Sequence, residues 1–399
     1  MKKILLSSLA VLALASASQA ATKMYVDKEG RVWTTPAEDR TELKSSTKWY
    51  SKADKLKFGV QTFVGYTYND YKSGNTSLVD DNGNAIPYKD DISAFKLRRA
   101  YFQVKAYLLE DPKSYYRITL DVHQDSKING SGTDGDMVLR VKYAYLYLNE
   151  ILPATGVEIG LAHRPWHDYE EHTAWYFRNI SKVFTEDANA AYLSNSADLG
   201  FMFKTKTKYF DADYGVFNGE GYHSIQLEKG MSFEWRTTAH ILGVNGKDKE
   251  TKLTYWDASF FGQYNQDHKD NGLGGYDDLV FGGVHTVYNQ PNFLFSAQYL
   301  KSLDTADGSR TSAQAGDGYS FNAEVRMGSN YNYRALARYD SWTPDLTDKE
   351  QCTYIAGVAW EQSKNVMWVA NVTVTDNEAA SSRETYNGTA YMLTVEIKF

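Results

Sequence analysis

The chain has 399 residues with 31 Tyr, 18 Phe and 9 Trp but only 7 Pro and a single Cys, Cys352, and its 43 Lys and Arg stand against 50 Asp and Glu for a net charge of -7. That balance disfavours nucleic acid as a partner, the lone cysteine excludes a disulfide framework, and no stretch after residue 20 approaches the roughly 18 consecutive apolar residues of a membrane-spanning helix. Abundant tyrosine at a mean hydropathy of -0.52 fits instead a membrane β-barrel, in which only every second strand residue must be apolar.

Residues 1–20 read as a secretory signal peptide. Lys2 and Lys3 precede the short apolar run Ile4 to Ala15, and Ser18-Gln19-Ala20 forms a small-residue cleavage site. Residues 21–54 are polar without a sustained period, so they are expected to form an N-terminal extension on the periplasmic side, with a short hairpin at Glu29-Gly30. A single barrel domain is expected over 55–399.

The first strand is KLKFGVQTFVGYTYN, where Phe58, Val60, Val64, Tyr66 and Tyr68 share one face and Lys57, Gly59, Gln61, Gly65 and Thr67 the other. FKLRRAYFQVKAYLL repeats the pattern, with Ala100, Phe102, Val104 and Ala106 against Arg99, Tyr101, Gln103, Lys105 and Tyr107. After the turn Glu110-Asp111-Pro112-Lys113, YYRITLDVHQD alternates again, setting Ile118, Leu120 and Val122 against Arg117, Thr119 and Asp121. Further strands are predicted at 137–149, 156–163, 197–206, 212–220, 230–242, 252–265, 277–289, 292–302, 318–328, 332–342, 352–361, 365–375 and 388–399, sixteen in all. Connections after the even-numbered strands are short, and those after the odd-numbered strands are mostly longer and rich in Asp, Gly, Ser and Asn. That alternation is the topology of a bacterial outer-membrane barrel. The connection 243–251 after the eighth strand is longer than this rule wants. The last strand sets Tyr391, Leu393, Val395, Ile397 and Phe399 on one face. It is expected to close the barrel against the first strand, and its aromatics Tyr391 and Phe399 to be the signal read by the barrel-insertion machinery.

An arginine facing lipid at mid-depth costs roughly 2 to 4 kcal/mol. Arg99, Lys105, Arg117, Arg140, Lys142, Arg236, Arg326, Arg334 and Arg338 are therefore expected to point inward and line the pore, together with the acids Asp121, Glu234 and Glu324. An excess of fixed guanidinium charge favours an anion path; pairing with the inward acids would instead make the same residues wall-holding ion pairs. Between the fifth and sixth strands, HRPWHDYEEHTAWYFRNISKVFTE reads as a loop folded into the lumen as a constriction. Its charged members Arg164, Asp168, Glu170, Glu171, His172 and Arg178 are expected to face solute, and Trp166, Tyr169, Trp175 and Tyr176 to pin it to the wall. The acids of this loop pull toward cations, so ion selectivity stays open between the two.

FKLRRAYFQVKAYLLEDPKSYYRITLDV, YAYLYLN, GVEIGLAHRPW, GVFNGEG, RALARYDSW and the final aromatic strand, in that order and spacing, resemble the phosphate-selective porin family of Gram-negative outer membranes. The resemblance implies a 16-stranded all-β transmembrane barrel, a homotrimer, and a third loop folded inward. It also implies an arginine track, onto which Arg99, Arg117, Arg236, Arg334 and Arg338 can be carried. No lysine cluster matches the eyelet of that family, and HDYEEH occupies part of the loop instead, so a general channel is as consistent as a phosphate channel. The expected function is passive diffusion of small hydrophilic solutes or anions, with outer-membrane lipid around the barrel and no cofactor or metal. Two other classes are weighed. A hydrolase on a barrel scaffold would use His163, His167 and His172 near Asp168 and Glu170, but neither a Ser-His-Asp order nor an HExxH motif is present. A surface-interaction protein would use the long loops 70–91, 302–318 and 376–387.

Overall fold

A strand in hydrocarbon has no water for its peptide groups, so each must bond to a neighbouring strand and the sheet must close on itself. The computed structural model of the chain describes residues 25–29, 31–42, 55–71, 78–79, 85–86, 91–107, 109–124, 137–222, 230–245, 251–270, 276–303, 315–345, 348–378 and 387–399. The predicted signal peptide, and most of the three long loops weighed as interaction surfaces, lie outside the described residues.

Two compact units divide the chain, 1–55 and 56–399. In the first, Tyr25–Asp27 pairs antiparallel with both Val32–Trp33 and Arg40–Glu42. The Asp27 carboxylate ties the hairpin by accepting the backbone N–H of Glu29 and Arg31 and the indole N–H of Trp33 at 3.0, 2.9 and 3.0 Å.

The second unit is a closed antiparallel barrel. Its strands are β1 (Leu56–Tyr71), β2 (Asp91–Ala106), β3 (Tyr115–Gln124), β4 (Met137–Leu152), β5 (Thr155–His163), β6 (Ala197–Lys206), β7 (Phe210–Phe217), β8 (Ser232–His240), β9 (Tyr255–Asp270), β10 (Tyr276–Gln290), β11 (Phe293–Ser302), β12 (Gly316–Met327), β13 (Tyr333–Pro344), β14 (Gln351–Ser363), β15 (Val366–Asn377) and β16 (Gly388–Lys398). Sixteen strands were expected, and sixteen close the barrel. Every strand pairs with its sequence neighbours, and β16 returns to β1 with Tyr391 opposite Tyr68. Past the end of that ladder the N–H of Val60 donates to Phe399 O at 3.1 Å, and the N–H of Phe399 to Val60 O at 2.9 Å.

Alternation sets the two faces. Trp256, Phe260 and Tyr264 of β9 are exposed on the outside while Asp257, Ser259, Phe261 and Gln263 between them are buried inside. Register shifts interrupt this period in five strand pairs among the described residues, two of them in the wall of β1–β4. In β2, Arg99 stands opposite Phe63 and Leu97 opposite Val64, so Arg98 is the additional residue. In β4, Tyr143 stands opposite Thr119 and Val141 opposite Leu120, which leaves Lys142 in the same role. Both extra side chains turn to the inner face, because a bulge carries two residues past one on the partner strand.

Candidate functional site

Residues 164–196, between β5 and β6, run inside the barrel. They were expected to be loop throughout. Instead Pro165–Thr173 form a helix, α1, with proline in its first turn, where its fixed φ favours the start of a helix. Six of its residues are buried, Pro165, Trp166, His167, Tyr169, Glu170 and Thr173, and four of them, Trp166, Tyr169, Glu170 and Thr173, recur at i, i+3, i+4 and i+7. Two of those four are polar, which hides the period from a reading of apolar residues.

Helix α1 packs on β7, β8 and β9. Trp166 stacks on Phe261 with ring centroids 3.7 Å apart and planes at 8°, and the Tyr169 hydroxyl donates to Asp257 at 2.7 Å. Phe184, Ala190, Ala191 and Leu193 join that cluster against Leu279, Phe281, Leu300 and Trp342. Trp175, Phe177, Ile180 and Val183 pack on Leu336, Ile355, Ala359, Val369 and Met392 of β13–β16. Each such ring or branched side chain contributes roughly 1.5 to 3 kcal/mol by leaving water, so the loop is held as a core element.

The expectation that all charged groups of this segment face solute is therefore corrected. His172 has 72% of its side chain exposed, but Arg164 and Glu170 are 1% exposed. The Arg164 guanidinium donates to Asp198 and to Gly219 O at 2.9 and 2.8 Å and lies 3.2 Å from Glu234. Arg178 joins Glu171 and Glu186, the latter at 2.8 Å. Asp168 lies 3.3 Å from the Lys204 ammonium.

Between residues 178–192 of this segment and the inner faces of β1, β2 and β14–β16 lies a cavity of about 620 Å³. Its charged lining is Lys96, Arg98, Arg99, Arg178 and Lys182 against one acid, Asp187, and β14 and β15 contribute uncharged Thr353, Thr373 and Thr375. The Asp187 carboxylate is engaged by its own turn, accepting the Ser181 hydroxyl at 2.6 Å and the N–H of Lys182 and Asn189 at 3.0 Å each. Arg98 donates to Ile180 O at 3.2 Å, which ties the bulge to the loop. Lys96 and Arg98 were missed in the sequence. The signal was the adjacent pair in FKLRRAY, because strict alternation would turn Arg98 or Arg99 toward lipid.

No family model matches the sequence, and no curated protein does. In structure the chain is similar to the anion-selective porin from Comamonas acidovorans, with a TM-score of 0.58 and 12% identity over 86% of this chain and 99% of that one. It is similar to OmpF of Salmonella typhi in complex with daunomycin, with a TM-score of 0.59 and 12% identity over 86% and 97%. A mutant of Rh. blastica porin gives a TM-score of 0.52 and 11% identity over 86% and 100%. The chain has the porin fold. At these identities the likeness is one of porin fold, and it does not single out the phosphate-selective family.

Within this porin fold the other predicted inward residues sit on the inner face, mostly in ion pairs. Arg99 and Arg140 share Asp121 at 2.8 and 2.9 Å, and Arg326 and Arg334 share Glu324 at 2.8 and 3.2 Å. Arg236 pairs with Asp213 at 2.6 Å and Arg338 with Asp340 at 2.7 Å. Lys105, Lys142 and Arg117 lie over the rings of Tyr115, Tyr101 and Tyr143 at 4.9, 4.8 and 4.7 Å. Arg99 is the member of this set that lines the cavity. Tyr391 and Phe399 are exposed on the outer side.

The histidines weighed for hydrolysis are dispersed in role. His163 is held between Glu158 at 2.9 Å and Arg117 at 3.1 Å. His167 sits 3.3 Å from the hydroxyls of Thr185 and Ser194, and burial lowers its pKa to about 3, so it stays neutral. His172 accompanies Asp168 on the exposed side. Among the described residues no group of three His, Cys, Asp or Glu is placed to hold a metal ion.

Glu170 makes this segment pH-dependent. Burial pushes its carboxyl up to about 8, against the pull of Arg338 and with Asp340 and Glu171 adding to the rise. The packed segment keeps the proton that a released segment gives up near the ordinary value of 4.5. Stability of the packed state is thus complete below about pH 4.5 and falls by about 1.4 kcal/mol per pH unit up to about pH 8. Thermal unfolding followed from pH 5 to 8 should show this decline, and Glu170→Gln should make it shallower; an equal slope in both proteins would assign the pH dependence to another group.

Proposed function

We propose that the protein lets small hydrophilic solutes cross the outer membrane passively, with a preference for anions, along a path between its third loop and the wall of β1, β2 and β14–β16. The cavity there carries this reading: five basic side chains line it against one acid. Arg99, Arg178 and Lys182 are paired with Asp121, Glu171 and Glu186 behind the lining, Asp187 is occupied by its own turn, and Lys96 and Arg98 add their charge to the path. In a narrow wet path, fixed charge of one sign concentrates the counter-ion. Guanidinium groups also grip carboxylate and phosphate oxygens in pairs, so phosphate belongs among the expected solutes. Arg117, Arg140, Arg236, Arg326, Arg334 and Arg338, with Lys105 and Lys142, brace the inner wall and extend its basic face. No bond is made or broken, and no cofactor takes part.

The apolar run behind Lys2 and Lys3 and the resemblance to phosphate-selective porins support the cellular setting. Residues 1–20 direct export and are cleaved, 21–54 stay on the periplasmic side, and 55–399 insert in the outer membrane of a Gram-negative cell, aided by Tyr391 and Phe399 as the insertion signal. Three copies assemble as a homotrimer.

The test is conductance of the purified full chain in planar bilayers across a KCl gradient. Discrete steps with a zero-current potential on the chloride side are expected. A potential on the potassium side would remove the anion preference, and folded protein giving no steps would remove the channel.

A further inference from the structure

We infer that the inner wall at the short-connection end of the barrel binds ring-bearing anions, with tyrosine faces taking the ring and a row of cations taking the charge; the inference rests on the anion-preferring channel proposed above. Strand register places Lys57 opposite Lys105 and Lys105 opposite Arg117, three cations side by side on β1, β2 and β3. Like charges directly opposite one another repel, so an anion placed beside this row is favoured. Beside it stand Tyr107, Tyr115 and Tyr147, with centroids 5.3 Å apart for the first pair and 5.1 Å for the second. The Lys57 and Lys105 ammonium groups lie 5.0 and 4.9 Å over the rings of Tyr107 and Tyr115.

These six groups keep exposed surface, although the Arg117 guanidinium already meets Tyr145 and His163 at 3.3 and 3.1 Å. Lys57 is exposed and the other five are half-buried, whereas Tyr143 and Tyr145, deeper in the same wall, are buried as packing residues. An inorganic anion gains from the cations but nothing from tyrosine faces, whose π clouds are negative. A flat aromatic carboxylate gains from both, stacking its ring at the offset or edge geometry that aromatic pairs prefer while its carboxylate reaches the ammonium row.

The probes are potassium benzoate and potassium acetate, each added to the short-connection side of single channels of the full chain in symmetrical KCl. Benzoate is expected to half-block the chloride current at a concentration at least about fivefold below that of acetate, a modest stacking gain. Tyr115→Leu should bring that ratio near one and Tyr115→Phe, which keeps the ring, should preserve it. Lys57→Gln, at an exposed position, should weaken the benzoate block at least about threefold, the loss of one exposed charge contact. Equal block by the two acids in the unmodified protein, with the KCl zero-current potential still on the chloride side, would overturn this site and leave the channel reading intact. A potential on the potassium side would overturn both.

Discussion

Replacing Lys96 and Arg98 together by Glu should turn the channel from anion-preferring to cation-preferring. Both side chains line the cavity with Arg99, Arg178 and Lys182, and the exchange alters the local charge by roughly four units. One unit charge acts on an ion about 5 Å away with roughly 0.8 kcal/mol even at the dielectric constant of water. The ratio of chloride to potassium permeability should therefore fall at least about tenfold in 0.1 M KCl, where screening acts over about 10 Å, and by less in 1 M. The neutral pair Lys96→Met and Arg98→Gln should give an intermediate ratio. A folded double-Glu barrel with an unchanged ratio would place the conducting path elsewhere in the lumen.

Arg164→Ala should cost about 3 to 5 kcal/mol, because it leaves Asp198 and Glu234 buried without their counter-ion. The loss falls at the base of the third loop, where Arg164 also holds Gly219 O. The unfolding midpoint should drop and single-channel steps should become larger and noisier as the segment loosens. Arg164→Lys should recover part of the stability, since a lysine keeps the charge but not the fork that reaches several acceptors. Wild-type unfolding in Arg164→Ala would move the anchor to the aromatic clusters around Phe261 and Ile355.

Most of the barrel was legible because its constraint is local and repetitive. NYRALARYD states the faces of β13 in one line, with Arg334 and Arg338 inward and Tyr333 exposed. Closure of β16 on β1 was expected from the alternation of the last strand; the register that pairs Val60 with Phe399 was not. The third loop was less legible because its helix buries Glu170 and Thr173 beside Trp166 and Tyr169, so burial there follows the lumen wall and not apolarity. Bulges at Arg98 and Lys142 also escaped a strict period of two, although two adjacent arginines in a lipid-facing strand already demanded one. Glu324 was expected inward as a partner for the arginines and pairs with Arg326 two residues away; Asp340, which holds Arg338 at the same spacing, was not named.

A single cysteine placed on the proposed path tests passage there directly. In a Cys352→Ser background, Thr373→Cys faces the cavity and Ala370→Cys lies on the outer face of the same strand. Single-channel current is then recorded while a negatively charged, thiol-reactive sulfonate is added. A stepwise loss of about half the current or more is expected at Thr373→Cys, as a bulky fixed anion fills a basic constriction, and no step at Ala370→Cys. Full modification of Thr373→Cys, verified by mass, with the current unchanged would contradict passage between the third loop and this wall.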